Sequence, residues 1–217
     1  MSYEHLLEVR NIDIHGESNW TWVKSDTGAF GSTGHGPMRD WIQSHSTKYF
    51  QHVRNFNTIV TAGGNCGMYV RFYAKKFKHV YAFEPNPLSF HCMVLNNQFD
   101  NVIKLNAVVG DKPELVDLNR TDIGNIGTHK IDPVGNVLKI PTFTIDSLGL
   151  NSCDLIQLDV EGYESKAIEG AIHTIMTYKP VIIAENFSSD TCKEFMRNIN
   201  YEYVESSFSD CIFKPIL

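Results

Sequence analysis

The chain has 217 residues, of which 42% are hydrophobic and 20% charged, and this composition predicts one globular unit and excludes a disordered or low-complexity chain. Nineteen Lys and Arg against 25 Asp and Glu give a net charge of −6, which does not favour nucleic acid as a partner. Five scattered cysteines without a Cys-x-x-Cys pair indicate neither a zinc site nor a disulfide framework. Because no apolar leader or membrane-length segment is seen, we expect a cytoplasmic protein without a membrane partner. The sequence does not indicate an oligomeric state.

The chain divides into two regions with different patterns. Residues 1–55 carry all three tryptophans and a glycine-rich run, which predicts an N-terminal extension that could also act as a lid. Trp20 and Trp22 are typical of core or interface residues, although aromatic side chains beside a glycine loop would also suit a lid. From residue 56 to residue 217, β-rich runs alternate with helical patterns, which predicts a single α/β domain.

The predicted elements of this domain begin as strand, helix, strand, helix and strand. The strands are placed at residues 58–61, 80–83, 102–109, 154–160 and 181–184, with an antiparallel pair at 201–204 and 211–215. Helices are predicted after the first two strands, the second capped by Asn86-Pro87, and over residues 164–178 and 190–199. Residues 110–136 are polar and rich in Gly and Pro, so we expect a long excursion without core elements. This order predicts a mostly parallel, doubly wound sheet with helices on both faces.

A glycine-rich turn after the first strand is the first feature that indicates a ligand site. Gly63, Gly64 and Gly67 allow the backbone to approach a ligand, and the helix that follows offers free N–H groups. Glu84 ends the second strand 21 residues after Gly63, where a carboxylate can accept hydrogen bonds from both hydroxyls of a ribose. The glycine turn and Glu84 together predict a nucleoside-bearing cofactor. The alternative is a tight turn followed by a solvated glutamate.

The spacing of the glycines separates two cofactor classes. A dinucleotide requires Gly-x-Gly-x-x-Gly to receive its pyrophosphate, whereas the order here is Gly63-Gly64-Asn65-Cys66-Gly67. S-adenosylmethionine has no phosphate, so the turn and Glu84 favour it over NAD, and an NAD-dependent oxidoreductase remains an alternative. A valine at Gly63 is expected to fill the cofactor's space while folding is largely retained.

Several motifs resemble those of FkbM-type class I methyltransferases, over about residues 57–186. They are Ala62-Gly63-Gly64-Asn65-Cys66-Gly67, Phe83-Glu84-Pro85-Asn86-Pro87, Asn106-Ala107-Val108-Val109-Gly110, Thr144-Ile145-Asp146-Ser147-Leu148 and Leu158-Asp159-Val160-Glu161-Gly162-Tyr163-Glu164. The resemblance implies a Rossmann-like, seven-stranded sheet that binds S-adenosylmethionine and methylates a hydroxyl, often on a sugar or polyketide. The cofactor contacts that it implies are Ala62, Gly63, Gly64, Asn65, Gly67, Glu84, Pro85, Asn86, Ala107 and Asp159.

Two positions depart from the family's commonest pattern. Thr61 stands where an Asp is frequent, and Gln157 stands where a Lys is frequent. The first change removes a partner for the cofactor's ammonium group, and the second makes a lysine-activated mechanism hard to assemble. These departures motivate a second hypothesis, a non-catalytic adenosyl-binding or scaffold protein with the same fold.

Three acids are the candidate catalytic residues. Asp159, Glu161 and Glu185 follow the ends of two predicted strands and are expected to converge at the ligand edge of the sheet. Asp159 would bind the cofactor or act as the general base, and its alternative role is to cap the helix near Glu164. Asn125 and His129 in the excursion, and His35 in the extension, are further candidates whose alternative is a surface turn. The leading hypothesis is a metal-independent O-methyltransferase for a small hydroxylated molecule or glycan.

Overall fold

The computed structural model describes residues 4–11, 18–27, 46–119, 130–131 and 138–216. Its strands are β1 (Leu7–Arg10), β2 (Trp20–Val23), β3 (Thr58–Ala62), β4 (His79–Phe83), β5 (Val102–Leu105), β6 (Val108–Val109), β7 (Leu115–Asn119), β8 (Lys130–Ile131), β9 (Leu138–Phe143), β10 (Leu155–Leu158), β11 (Val181–Glu185), β12 (Tyr201–Ser207) and β13 (Asp210–Pro215). Its α-helices are α1 (residues 46–52), α2 (Met68–Ala74), α3 (Pro87–Asn96), α4 (Glu164–Glu169), α5 (Ile172–Tyr178) and α6 (Asp190–Asn198). Single 3-10 turns cover Glu4–Leu6 and Asp146–Leu148.

A seven-stranded sheet forms the centre, in the order β12-β13-β11-β10-β3-β4-β5. Strands β3, β4, β5, β10 and β11 are parallel, whereas β13 runs antiparallel to β11 and to β12. The chain order reverses between β3 and β10, and ligands of open α/β sheets bind at such a reversal, beyond the carboxyl ends of the strands. The predicted mostly parallel, doubly wound sheet is confirmed.

Helices cover both faces of this sheet. On one face α1, α2 and α3 pack through residues such as Tyr49, Tyr73 and Met93. On the other face α4, α5 and α6 pack through residues such as Ile168, Ile175 and Met196. The strands are therefore buried on both sides, which explains why they read as continuous apolar runs.

The third predicted strand, residues 102–109, is divided in the structure. β5 belongs to the central sheet, whereas β6 joins a four-stranded sheet with the order β6-β9-β7-β8. Between them, the Asn106 side chain donates to the carbonyl oxygens of Glu84 and Pro85 at 2.8 and 3.0 Å. This side chain therefore holds the loop after β4 against the residue that follows β5.

The second sheet also corrects the expectation for residues 110–136. Leu115–Asn119 forms β7 and pairs with β9, a strand that was not predicted from the sequence. Val116, Leu118 and Ile140 are buried in this sheet, so an alternating apolar pattern was present within the polar surroundings.

The helix predicted over residues 164–178 is divided into α4 and α5, and the residue after α4 is Gly170, where no side chain would fit. A Cβ atom on Gly170 would lie 1.9 Å from the carbonyl oxygen of Gly110. The second helix starts anew, and the Asp146 carboxylate accepts the N–H groups of His173 and Thr174 at 3.0 and 2.7 Å.

The described parts of the first 55 residues pack onto the domain. Trp20 and Trp22 are 1% and 0% exposed and lie in one apolar cluster with Met68 and Leu88. The indole N–H of Trp22 donates to Asp26 at 2.7 Å. Both tryptophans are core residues, which confirms the core interpretation, while the boundary at residue 55 stays a prediction. Among the described residues, none of the helices combines the length and the hydropathy needed to cross a bilayer.

Candidate active site

The glycine-rich turn lies at the carboxyl end of β3, where the chain leaves the sheet and enters α2. Gly63 and Gly67 have φ angles of 88° and 92°, in the left-handed region that favours glycine. The N–H groups of Gly63 and Gly64 donate to the carbonyl oxygen of Phe83 at 3.0 and 2.9 Å. These two hydrogen bonds hold the turn against the end of β4.

Gly63 is required by its packing against the end of β10. A Cβ atom at this position would lie 2.0 Å from the backbone oxygen of Asp159. The expectation that a valine at Gly63 would leave the fold largely intact is therefore wrong, because the side chain would collide with the end of a central strand. Glycine at position 63 lets the turn and Asp159 lie against each other.

Glu84 follows β4 and is 6% exposed. Its carboxylate accepts the N–H of Asn65 at 2.7 Å and the N–H of Asn86 at 2.8 Å. Burial raises the pKa of Glu84 to about 7, against the opposing effect of these two hydrogen bonds. The structure thus brings Glu84 against the glycine turn, and the carboxyl group titrates near neutral pH.

Four other predicted cofactor contacts are engaged with protein groups. The Asn86 side chain accepts the N–H groups of Leu88 and Ser89 at 2.9 and 3.4 Å, which confirms it as the cap of α3. The carbonyl oxygen of Pro85 accepts a hydrogen bond from Asn106. Ala62 and Ala107 are each 1% exposed and belong to the core below the turn. Their contacts with a cofactor stay predictions.

Three carboxylates meet at the carboxyl ends of β10 and β11. Asp159, Glu161 and Glu185 each place an oxygen within 4.8 Å of the others. Burial, followed by repulsion from Glu185, raises the pKa of Asp159 well above its usual range. The predicted convergence of the three acids is confirmed, and repulsion from the neighbouring carboxylates is one cause of the raised pKa of Asp159.

The alternative role of Asp159 as a helix cap is not what the structure shows. The residue that precedes α4 is Tyr163, whose side chain makes no capping hydrogen bond to this described helix. Instead, the Glu164 carboxylate accepts the N–H groups of Val160 and Gly162 at 3.2 and 3.3 Å. Asp159 therefore belongs to the acidic cluster with Glu161 and Glu185.

Two residues that sequence patterns did not indicate extend this cluster. Asp210 begins β13 and lies opposite Glu185 in the ladder between β11 and β13. The Tyr49 hydroxyl, from α1, donates to the Asp210 carboxylate. Burial raises the pKa of Asp210 to about 6, Tyr49 lowers it and Glu185 raises it. Because Tyr49 and Asp210 are 161 positions apart, no local pattern could have joined them.

The turn between β12 and β13 lies beside the acids. Ser209 donates its hydroxyl to Glu185 at 3.0 Å, and its carbonyl oxygen accepts the N–H of Asn186 at 2.8 Å. The preceding residue, Phe208, is 77% exposed and has a φ angle of 56°, which is unusual for a bulky residue. An exposed aromatic residue therefore lies next to a turn that contacts the carboxylates.

The two departures from the family pattern contact each other. Thr61 and Gln157 are register partners on β3 and β10, and both are buried. The Thr61 hydroxyl donates to the side-chain oxygen of Gln157. A neutral hydrogen bond thus joins the two departures, and both side chains belong to the interior of the sheet.

Three other candidates, His35, Asn125 and His129, lie outside the described residues. The cluster of Asp159, Glu161 and Glu185 also has a spacing at which carboxylates can share a metal ion. The expected independence from metals therefore stays a prediction.

A doubly wound sheet with one antiparallel strand inserted, a glycine turn at the point of reversal and acids at the same edge define a Rossmann-like class I methyltransferase fold. The methyltransferase FkbM domain family matches residues 62–204. The chain belongs to the FkbM methyltransferase family.

Two solved structures share this fold. Methyltransferase FkbM from Methylobacillus flagellatus KT is 15% identical with a TM-score of 0.52, and the match covers 77% of this chain and 50% of that one. Trm5b from Pyrococcus abyssi is 13% identical with a TM-score of 0.55, and the match covers 96% of this chain and 56% of that one. The match therefore spans about half the length of either protein. No curated protein sequence matches this chain.

Proposed function

We propose that this methyltransferase uses S-adenosylmethionine and methylates a hydroxyl group on a small molecule or glycan. The proposal rests on one observation, the negative charge around the point where the strand order reverses. Glu84 lies on one side of the glycine turn, and the acidic cluster lies on the other. S-adenosylmethionine bears a positively charged sulfonium and an ammonium group, so these carboxylates suit it.

The same edge disfavours a dinucleotide. A pyrophosphate requires free backbone N–H groups, whereas those of Gly63 and Gly64 already donate to Phe83. Two negative phosphates would also meet the carboxylates of Glu84 and Asp159. The NAD alternative is therefore the weaker one on both geometric and electrostatic grounds.

Each side of the edge has its own role in this proposal. Glu84 has lone pairs left to accept the ribose hydroxyls, and Asp159 lies where it would either hold the amino acid part of the cofactor or act as the base. The bound cofactor supplies an activated methyl group. Transfer joins the acceptor oxygen to the methyl carbon as the carbon–sulfur bond breaks, and the hydroxyl proton must pass to a base.

The acidic cluster is suited to take that proton. A carboxylate with its usual pKa is a weak base at neutral pH, and a raised pKa brings it closer to the working range of a general base. Burial and mutual repulsion raise the pKa of Asp159 in this way. Glu185 is fixed by Ser209, and the neighbouring Phe208 would supply an apolar wall for the acceptor.

The pairing of Thr61 with Gln157 bears on the non-catalytic alternative. Both side chains are buried, and they satisfy each other through one neutral hydrogen bond. The substitutions therefore take no group away from the acidic cluster. We infer an active enzyme rather than a scaffold.

Calorimetry with S-adenosylmethionine on matched variants tests the proposal. Glu84→Ala should weaken binding by about 10-fold to 150-fold, the value of a charged hydrogen bond of about 1.5 to 3 kcal/mol. Phe208→Ala should leave that affinity unchanged and raise the KM of a hydroxyl acceptor. Unchanged cofactor affinity in a folded Glu84→Ala protein would overturn the cofactor assignment.

The expected independence from metals has its own test, the methyl-transfer rate in the presence of a chelator. A rate that the chelator abolishes and Mg²⁺ restores would overturn the metal-independent mechanism.

A further inference from the structure

A cavity lies at the opposite, amino edge of the central sheet. It has a volume of about 430 Å³ and is lined by residues that begin or precede strands, such as Asp154 and Val181, and by Pro215 at the end of the antiparallel strand β13. The acids of the candidate active site lie at the other ends of the same strands. The cavity is therefore separated from the proposed methyl-transfer site by the length of β10 and β11. Its volume lies within the range of small-molecule sites.

Three cationic side chains from three different elements line this cavity. Arg54 follows α1, Lys179 follows α5 and Lys214 lies on β13. Within the described part of the chain, these three make neither a hydrogen bond through their side chains nor an ion pair. Other lysines are engaged: Lys139 pairs with Asp117 at 2.9 Å, and Lys76 lies over the ring of Phe56.

The acids that line the cavity offset this positive charge only in part. Asp154 already accepts the N–H groups of Asn57 and Thr58 at 2.8 and 2.9 Å. Glu202 lies opposite Lys214 in the strand register but forms no ion pair with it. Three cations against Asp154 and Glu202 leave a positive balance, in a chain whose net charge is −6.

One histidine also lines the cavity, and it is held by an acid outside the lining. The His52 ring nitrogen Nε2 lies 2.9 Å from a carboxylate oxygen of Glu205. Glu205 therefore lies beside the cavity but is not one of the residues that line it.

We propose that this cavity is a second ligand site, which binds a small molecule that carries a phosphate group. Lysine ammonium groups and an arginine guanidinium that approach from three elements suit a doubly charged group with several acceptor oxygens. The ring of Tyr178, with Val181 and Pro215, offers apolar surface to the rest of such a molecule. This site does not depend on the proposed methyl transfer.

Calorimetry with inorganic pyrophosphate as the probe tests this proposal on the full chain. We expect saturable binding with a Kd of about 1 mM or tighter, weakened by added salt because the attraction is between charges. Lys179→Asn and Lys214→Gln should each weaken binding about tenfold. Asn is chosen at position 179 because the φ angle there is 51°, which Asn tolerates.

Lys104→Gln is the matched control, since Lys104 lies on β5 at the far side of the sheet, away from the residues that line the cavity. It should leave pyrophosphate binding unchanged, and S-adenosylhomocysteine should not compete with pyrophosphate. Absence of saturable binding to the wild-type protein would overturn the proposal. So would an equal loss in the Lys104 control, which would indicate a general charge effect, or competition by S-adenosylhomocysteine.

Discussion

The two edges of the central sheet differ in charge and in backbone geometry. At the carboxyl edge, carboxylates gather around the glycine turn, and left-handed φ angles occur at Gly63, Asn65, Gly67, Glu161, Gly162, Asn186 and Phe208. At the amino edge, such angles occur at Gly149, Lys179 and Asn200, in turns that lead into strands. Among the described residues, left-handed angles are therefore more frequent at the edge that holds the glycine turn and the acids.

The comparison shows that the net charge of −6 does not describe either edge. Like charges are held together at one edge, where Glu185 raises the pKa of Asp159. At the other edge, cations that have no ion-pair partner among the described residues line a cavity. The position of a residue relative to the strand direction, rather than overall composition, decides which chemistry it can join.

The largest expected effect concerns the glycine turn. Gly63→Ala should lower the free energy of unfolding by about 3 kcal/mol or more, because its Cβ would overlap the Asp159 backbone and its φ angle is left-handed. Gly149→Ala is the control, with a φ angle of 60° and no described atom within 4 Å of the added Cβ. It should cost only about 1 to 2 kcal/mol. Equal losses in urea unfolding would show that the close approach at Gly63 is unimportant.

Asp159→Asn should impair turnover more than folding. If Asp159 is the base, kcat should fall by about 10²-fold to 10⁴-fold while S-adenosylmethionine affinity survives. If it holds the ammonium group, the loss should appear in that affinity. Rate and affinity both within about twofold of wild type would remove Asp159 from the site and leave Glu161 or Glu185 to be tested.

Glu84 should make stability depend on pH. Its pKa is about 7 in the folded protein, against the usual value of 4.5 in an unfolded chain, so the folded chain binds this proton more tightly. The resulting stabilisation is full below pH 4.5 and is lost as pH rises to about 7. The difference in unfolding free energy between wild type and Glu84→Gln should therefore change by about 3 kcal/mol over that window. A constant difference would contradict the burial of an ionisable carboxyl group.

Tyr49→Phe should have the smallest effect. Tyr49 lowers the pKa of Asp210, so its removal should raise that pKa above about 6 and shift the acid limb of the pH–rate profile upward. Tyr201→Phe is the control, because its hydroxyl donates to the Pro180 carbonyl at 2.7 Å, before the start of β11. If both variants shift the profile equally, Tyr49 has only a structural role.

The sequence by itself determined the doubly wound sheet, the Asn86 cap and the acidic candidates at the ends of β10 and β11. These depend on local patterns: apolar runs, capping residues and strand ends report the nearest few residues. Because parallel strands end at one edge, the convergence of Asp159, Glu161 and Glu185 also followed from their positions.

Only the tertiary structure decided the contacts between distant segments. Gly63 and Gly170 are needed because other backbones approach them, and Tyr49 joins Asp210 across much of the chain. The Thr61 and Gln157 side chains became a matched pair only when β3 and β10 lay in register. Packing and hydrogen bonding between segments far apart in the chain leave no periodic signal in one sequence, so strand order and register had to place these groups side by side.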